Sequence, residues 1–298
     1  MWDKYLQGIE SGDIKTIARS ISLIENEVEG YEDLLRSLPF SNTPVIGITG
    51  PPGAGKSTIT DGLISEWINE NKKVAVLCVD PSSPFNYGAV LGDRIRMSSW
   101  YNHPGVYIRS LATRGSLGGL HPKIIEITDL LKAAPFDIII VETVGVGQSE
   151  VEIAGLAEVT VVVVVPEAGD EVQTMKAGIM EIADIFVVNK ADRPGADTFV
   201  KNLRLMLAPA FHSHKNEVPV IKTVASQKEG LDELAGRIAN TISLNLTNEK
   251  RSWLLADRAY QLIQKNRMAG ITKAKLRQEI EIAGTQINLY NFIRKFFE

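Results

Sequence analysis

The sequence predicts an α/β fold built on a mostly parallel, doubly wound sheet, with helical extensions at both ends. Short β-branched runs alternate with helical runs between about residues 44 and 245, which is the order typical of this fold class. The β-branched runs are apolar almost throughout, as in strands that helices cover on both faces. Only helical patterns occur before and after this region. The candidate strands span 45–49, 74–79, 106–109, 137–142, 159–165, 185–188 and 219–224.

The same alternation divides the chain into three regions. We expect an N-terminal helical extension over residues 1–41, an α/β domain over 42–245 and a C-terminal helical segment over 246–298. Large aromatic side chains in the last region, including Phe292 and Phe296, are unfavourable in water. They must therefore dock on this chain's own domain or on a second copy of the chain, and the pattern leaves both open.

Composition narrows the class of protein. The 298 residues carry a formal net charge of −4, so we expect neither a nucleic acid nor an anionic membrane as partner. The single cysteine, Cys78, excludes an internal disulfide and suits a reducing compartment. The N-terminus lacks the pattern of a signal sequence, and no apolar run approaches the ~20 residues that a membrane helix needs. We therefore expect a soluble, cytoplasmic protein.

A glycine-rich stretch after the first candidate strand predicts a nucleotide site. Residues 50–57 read GPPGAGKS and match G-x-x-x-x-G-K-[ST], the phosphate-binding loop of P-loop nucleotide triphosphatases. Backbone N–H groups and the following helix N-terminus attract phosphate, while Lys56 would reach the β- and γ-phosphates and Ser57 would ligate Mg²⁺. The alternative is a glycine-rich turn without phosphate. The predicted loop residues are Gly50, Pro51, Pro52, Gly53, Ala54, Gly55, Lys56, Ser57 and Thr58.

A second motif indicates which base is bound. Asn189-Lys190-Ala191-Asp192 follows the candidate strand 185–188 and fits N-K-x-D. Guanine presents an N1–H and an exocyclic amine side by side, so the Asp192 carboxylate can accept from both, whereas adenine has no such pair of donors. A site built around such bonds discriminates strongly. The motif therefore predicts GTP rather than ATP, with backbone contacts to guanine from Ala225, Ser226 and Gln227.

Acidic residues at strand ends predict the metal site. Glu142 ends an apolar strand and Gly145 follows three residues later, where P-loop enzymes place a metal-binding aspartate and a glycine whose N–H meets the γ-phosphate. Because glutamate is one methylene longer than aspartate, Glu142 can also act through a water. Asp80 and Asp93 are the other candidates, although a turn cap before Pro81 would also explain Asp80. We predict Ser57, Asp80, Asp93 and Glu142 as metal-site residues and Lys56, Asp93 and Glu142 as catalytic residues.

At this point the sequence resembles one family, the MeaB/ArgK GTPase chaperones associated with methylmalonyl-CoA mutase, a branch of the dimeric P-loop GTPases that includes nickel-insertion proteins. The motifs that carry the resemblance are GPPGAGKST at 50–58, VDPSSP at 79–84, GDRIRM at 92–97, ETVGVGQSE at 142–150, GDEVQTMK at 169–176 and NKAD at 189–192. The resemblance covers about residues 40 to 245, and more loosely the helical ends.

The resemblance implies a function and a partner. It implies a GTPase that gates the delivery of adenosylcobalamin to a cobalamin-dependent acyl-CoA mutase and protects that mutase. Methylmalonyl-CoA mutase is the first expectation, and an isobutyryl- or other acyl-CoA mutase fits as well. The resemblance also implies GTP/GDP and Mg²⁺ as ligands and a homodimer formed through the C-terminal segment, although the dimerisation arm here looks short.

Two stretches, 142–152 and 166–176, look like moving switches, because glycines release the backbone and a γ-phosphate can order such loops. Val146 stands directly after Gly145, where a glutamine could hold the attacking water. We therefore expect slow hydrolysis that a partner accelerates. The arginines that could assist are Arg94, Arg96, Arg109 and Arg114.

Three other functions share parts of this pattern. A metal-insertion GTPase of the nickel-chaperone type would have the same fold but usually carries clustered His or Cys ligands, whereas here His212 and His214 are the only close histidine pair. A kinase would need an acceptor site, for which the sequence offers no distinct motif. A nucleotide-dependent scaffold that binds GTP but scarcely turns it over would differ from the GTPase chaperone only in its rate of turnover.

Overall fold

In a computed structural model of the chain, seven strands form one parallel sheet. The structure describes residues 2–80, 97–113, 120–145, 149–168, 177–208, 218–244, 249–268, 270–284 and 287–296. Within these residues the strand order is β3-β2-β4-β1-β5-β6-β7 and every neighbouring pair is parallel. The strands are β1 Val45–Thr49, β2 Val74–Asp80, β3 Val106–Ala112, β4 Ile138–Glu142, β5 Val159–Val164, β6 Ile185–Asn189 and β7 Val220–Thr223.

The predicted α/β fold is confirmed, and each candidate strand corresponds to one of these strands. The largest difference is at β3, for which the sequence predicted an end at residue 109. The strand continues to Ala112 because β2 keeps pairing with it, up to Asp80 opposite Ala112. Polar side chains at Arg109 and Ser110 interrupt the apolar run there and hid the end of the strand.

Helices precede, connect and follow the strands. Their bounds in the described residues are α1 Trp2–Glu10, α2 Ile14–Glu25, α3 Tyr31–Ser37, α4 Lys56–Asn69, α5 Ile124–Ala133, α6 Ser149–Leu156, α7 Ala177–Ile182, α8 Ala196–Leu207, α9 Leu231–Ser243, α10 Glu249–Arg267, α11 Lys273–Ala283 and α12 Leu289–Arg294. No helix within these ranges is long and apolar enough to cross a membrane.

Alternate residues of the central strands are buried in two separate hydrophobic clusters. In β5, Val161 and Val163 belong to one cluster, which includes Trp67 of α4. Val162 and Val164 belong to the other, which includes Leu203 of α8. Since successive side chains of a strand point to opposite faces of the sheet, both faces are covered. This explains why the strands read as continuous apolar runs.

The chain forms two compact units, Met1–Arg251 and Ser252–Glu298. In the first unit, the N-terminal helices pack on the sheet domain near its β3 edge. Arg109 of β3 forms an ion pair with Glu25 of α2, and the Lys123 ammonium lies 2.9 Å from the Tyr31 hydroxyl. The described residues of the second unit form helices and the short turns next to them.

Candidate nucleotide and metal site

The predicted motifs meet at one edge of the sheet. The glycine-rich loop follows β1, Glu142 ends β4, and Asn189 ends β6. Because the strands are parallel, their carboxyl ends lie at the same edge, which is where open α/β sheets bind ligands. In the strand order, β4 and β5 flank β1, and β6 lies next to β5. The fold therefore brings residues from 50 to 189 into one site.

The ammonium group of Lys56 lies over the glycine-rich loop. Its Nζ donates to the carbonyl of Gly50 at 2.9 Å and to that of Pro51 at 3.1 Å. Lys56 is the first residue of α4, so the helix N-terminus, with its unpaired N–H groups and positive dipole end, faces the same loop. Backbone N–H groups of a loop, a helix N-terminus and an ammonium are the groups with which proteins bind phosphate, so this arrangement fits a phosphate group.

Gly145 lies against this loop more closely than any other residue type could. A Cβ atom at this position would lie 2.3 Å from the Gly50 carbonyl oxygen and 2.4 Å from Lys56 Nζ, and φ is +84°. Both the contact and the backbone conformation require glycine. The backbone of Gly145 is thus placed beside the ammonium that would contact the terminal phosphates.

Two hydroxyl groups of α4 hold the carboxylate of Glu142. Ser57 Oγ lies 2.7 Å from Oε1 and Thr60 Oγ1 lies 2.8 Å from Oε2. Glu142 is 3% exposed, and its place opposite Ile48 of β1 brings it to the start of α4. A carboxylate and a hydroxyl supply the hard oxygen donors that Mg²⁺ takes from proteins, so these residues fit a magnesium ion.

The other predicted metal residues differ in what the structure describes. Asp80 is buried at the carboxyl end of β2. Cys78 of the same strand lies opposite Glu142 of the neighbouring strand β4. Asp80 comes two residues after Cys78, so its side chain points to the same face of the sheet as that of Cys78. Asp80 is thus on the same side of the site. Asp93 lies outside the described residues.

Asn189 joins the base-recognition motif to the phosphate loop. Its Nδ2 donates to the Ala54 carbonyl at 2.9 Å, while its Oδ1 accepts from Thr223 Oγ1 at 3.1 Å and from the Ala225 backbone N–H at 3.2 Å. A Cβ at Gly55 would lie 2.3 Å from this Nδ2, so glycine is needed for the close approach. Asn189 therefore connects the three loops that follow β1, β6 and β7.

The rest of the motif presents its polar groups to solvent. The Lys190 ammonium donates to the Gly53 carbonyl at 2.8 Å. Asp192 is exposed in a turn closed by the Arg193 N–H and the Lys190 carbonyl at 3.0 Å. Ser226 and Gln227, also exposed, form a short 3-10 helix with Ala225. Asp192, Ser226 and Gln227 are therefore accessible from solvent.

A family model decides which family this chain belongs to. The model described as "Methylmalonyl Co-A mutase-associated GTPase MeaB" matches residues 17–278. The chain belongs to the MeaB family. The resemblance read from the motifs is therefore confirmed.

Relatives and solved structures agree with this assignment. A putative GTPase of Pyrococcus abyssi is 48% identical over 243 residues, covering 80% of this chain and 75% of the relative. A fused isobutyryl-CoA mutase of Geobacillus kaustophilus is 38% identical over 266 residues, covering 83% of this chain but only 24% of that longer protein. The crystal structure of a LAO/AO transport system kinase superposes with a TM-score of 0.69 at 25% identity, covering 99% of this chain and 96% of that one.

The two predicted switches of this MeaB-family chain are only partly described. Residues 142–145 and 149–152 are described, and α6 begins at Ser149; residues 146–148, with Val146, lie outside. In the second stretch, Pro166–Ala168 form a short 3-10 helix, and 169–176 lie outside. Glu167 forms an ion pair with Arg193, next to the base-recognition motif, and this hydrogen bond lowers the pKa of Glu167.

Among the candidate arginines, Arg109 is engaged away from the phosphate loop. Its guanidinium pairs with Glu25 and donates to Ser22 Oγ at 3.1 Å. In the sheet order, β3 lies three strand positions from β1, or ~14 Å at the usual strand spacing. Arg94, Arg96 and Arg114 lie outside the described residues, as do His212 and His214.

Sequence reasoning missed one residue of this candidate site, Thr60, and one contact of the predicted residue Lys190. Thr60 contacts Glu142 across 82 positions of sequence, and the Lys190 ammonium contacts Gly53 across 137. A signal existed for Thr60, because it is a hydroxyl residue one helical turn after Ser57. No pattern in the sequence indicates the Lys190 contact.

Proposed function

We propose that this chain is a GTPase chaperone that hydrolyses GTP to gate adenosylcobalamin loading and protection of a cobalamin-dependent acyl-CoA mutase. The observation that carries the nucleotide part is the junction at Asn189, which joins an N-K-A-D motif to a phosphate loop within hydrogen-bond distance. The observation that carries the partner is a similar region within a fused isobutyryl-CoA mutase.

The residues of the site take these roles in hydrolysis. The backbone of residues 50–58 and the Lys56 ammonium bind the phosphates and oppose the negative charge that develops as a water attacks the γ-phosphorus and its bond to the β-γ bridging oxygen breaks. Gly145 donates its N–H to the γ-phosphate. Mg²⁺, when bound, neutralises phosphate charge. Its proposed protein contacts are Ser57, Asp80, Asp93 and Glu142, with Asp93 and Glu142 also orienting the water.

Guanine recognition rests on the Asp192 carboxylate, which accepts from N1–H and from the exocyclic amine. Ala225, Ser226 and Gln227 contact the base through their backbone. Adenine has no such pair of donors, so it would leave the Asp192 carboxylate without these two hydrogen bonds. The loss of two bonds to a charged group accounts for a strong preference for GTP.

The Asp192→Asn substitution tests the nucleotide assignment. The native chain should bind and hydrolyse GTP but not ATP. In the variant, the asparagine amide donates where the carboxylate accepted, so we expect affinity for GTP to fall about 10²-fold or more and xanthosine triphosphate to be preferred. Nucleotide affinities from equilibrium fluorescence titration provide the measurement.

A matched control is Asp197→Asn on α8, which removes an exposed carboxylate that forms an ion pair with the exposed Lys222 and should leave nucleotide affinity unchanged. Equal affinity of the native chain for GTP and ATP would contradict guanine specificity.

The comparisons offer two candidates for the partner mutase. The family description points to methylmalonyl-CoA mutase, while the fused relative points to isobutyryl-CoA mutase. Methylmalonyl-CoA mutase is the first candidate. We further propose slow intrinsic turnover that the mutase accelerates, a homodimer formed through the C-terminal helices, and a cytoplasmic location, where the buried Cys78 thiol stays reduced.

A further inference from the structure

Thr60 is a buried polar residue that the proposed chemistry does not use. It is fully buried on α4, one helical turn after Ser57, and its hydroxyl lies 2.8 Å from Glu142 Oε2. Ser57 Oγ lies 2.7 Å from the other oxygen, Oε1. Two hydroxyls of one helix thus hold the two oxygens of one carboxylate.

The Thr60 hydroxyl has two acceptors within reach and a single proton. The carbonyl of Lys56, one turn earlier in α4, lies 3.0 Å from Oγ1, slightly farther than Oε2. A hydroxyl donates only one hydrogen, and a bond to a carboxylate is shorter and stronger than one to a neutral carbonyl. Donation to Glu142 is therefore favoured. The β-branched side chain, with its restricted χ1 rotamers, presets the hydroxyl toward it.

The two hydroxyl contacts differ in how they relate to the metal. Ser57 belongs to the proposed magnesium set, so its hydroxyl oxygen must serve Mg²⁺ as well as Glu142. Thr60 does not belong to that set, and its bond to Oε2 can persist whether or not the ion is bound. A glutamate has one more rotatable bond than an aspartate, and freezing it costs conformational entropy. A fixed donor at Oε2 reduces that cost.

We propose that Thr60 is a positioning residue that fixes the Glu142 carboxylate so that Oε1 faces Ser57 and the metal position. This inference rests on the GTP and magnesium site proposed above. It explains how a glutamate can occupy a position that usually holds the shorter aspartate: the extra length is restrained by a second hydroxyl from the phosphate-loop helix.

The test is the magnesium dependence of nucleotide binding in a Thr60→Val variant. Valine keeps the shape and removes the hydroxyl. We expect the Mg²⁺ concentration that half-maximally tightens a fluorescent, non-hydrolysable GTP analogue to rise about tenfold, while affinity for the analogue in EDTA stays unchanged. Thr60→Ser, which restores the hydroxyl, should restore the native midpoint. A merely structural role would lower affinity in EDTA as well.

Thr128→Val is the matched control, because Thr128 is also a buried helical threonine whose hydroxyl donates to a carbonyl one turn earlier, at 2.6 Å, but on α5. It should keep the native midpoint. A double-mutant cycle with Glu142→Ala gives a second readout: once the side chain that accepts from Thr60 is gone, Thr60→Val should shift the midpoint no further.

The outcomes separate this inference from the proposed function. A native chain that responds to Mg²⁺ and a Thr60→Val variant with the same midpoint would overturn the role of Thr60 alone. So would an equal shift in the presence and absence of the Glu142 carboxylate. A native chain whose affinity for the analogue ignores Mg²⁺ would overturn the metal site and, with it, this role.

Discussion

Buried charged side chains matter for the stability of this fold, because each needs a partner to replace the water that it loses. The Lys56 ammonium is held by two loop carbonyls. The Lys132 ammonium lies 3.0 Å from the Glu158 carboxylate, and Lys123 contacts both Tyr31 and Glu27 at 2.9 Å. Removing one member of such a group leaves the other buried polar atoms unsatisfied, which costs more than the bond itself contributes.

Lys123→Met is expected to destabilise the fold by about 1–3 kcal/mol, because it removes the donor that joins α3 to the start of α5. The free energy of unfolding from urea denaturation gives the measurement. Lys222→Met is the control: Lys222 is 52% exposed and pairs with the exposed Asp197, so its loss should cost ~0–1 kcal/mol. An equal decrease in the free energy of unfolding of the two variants would contradict the claim that the buried contacts of Lys123 contribute more than the exposed ion pair of Lys222.

The same lysine predicts a pH dependence. Burial lowers the pKa of Lys123, but its hydrogen bonds to Tyr31 and Glu27 outweigh burial and raise the pKa above the usual 10.5. A pKa raised in the folded state contributes stability that is fully present below pH 10.5 and is lost as pH rises through the folded value. The difference in stability between native chain and Lys123→Met should therefore stay constant from pH 6 to 9 and shrink above about 10.5.

At this scale, motif residues could be predicted and long-range partners could not. Lys56, Ser57 and Asn189 stand at spacings that phosphate and base chemistry fix. The eight-residue phosphate-loop motif and the four-residue base-recognition motif are therefore enough to find them. The contact between Thr60 and Glu142 depends on how α4 packs beside β4, and no short-range rule fixes that packing. Glu142 was found as an acid at a strand end, but its contacts with the hydroxyls of Ser57 and Thr60 were not.

Among elements, the strands were predictable because their burial on both faces leaves continuous apolar runs. The end of β3 was not, since pairing with β2 rather than composition decides it.

The C-terminal helices differ from the strands in leaving apolar side chains exposed. The described residues of α10, α11 and α12 expose large apolar side chains, among them Trp253 at 80%, Ile282 at 78% and Tyr290 at 81%. Exposed apolar groups of this size, recurring along successive helices, indicate an interaction surface.

A homodimer through these helices is expected to cover that surface. The full chain should sediment at about twice its 32.7 kDa, and a Trp253→Ser, Tyr290→Ser double variant should shift toward the monomer because it removes apolar area from the interface. Sedimentation velocity gives the measurement. Phe40→Ser removes a side chain that is 87% exposed in the other unit and should leave the dimer intact. A monomeric native chain would contradict the proposal.

At the scale of the whole molecule, the loops that carry the motifs lie at one edge of the sheet. The N-terminal helical extension belongs to the same compact unit as this sheet. The sequence predicted residues 1–41 as a helical extension, and Arg109 and Lys123 connect this extension to the sheet domain through Glu25 and Tyr31. Such contacts span more than 80 residues and leave no local pattern. Parallel topology, in contrast, follows from alternation of elements, and with it the meeting of the three motifs could be foreseen.

The most direct test of the account is GTP turnover by the purified chain, alone and with a cobalamin-dependent acyl-CoA mutase. We predict slow hydrolysis of GTP alone, none of ATP, and an increase on adding the mutase, which could reach the ~10³-fold range if the partner completes the catalytic groups. A Lys56→Ala chain mixed with the same mutase controls for contaminating activity. GTP turnover that is the same with and without methylmalonyl-CoA and isobutyryl-CoA mutases would contradict the account.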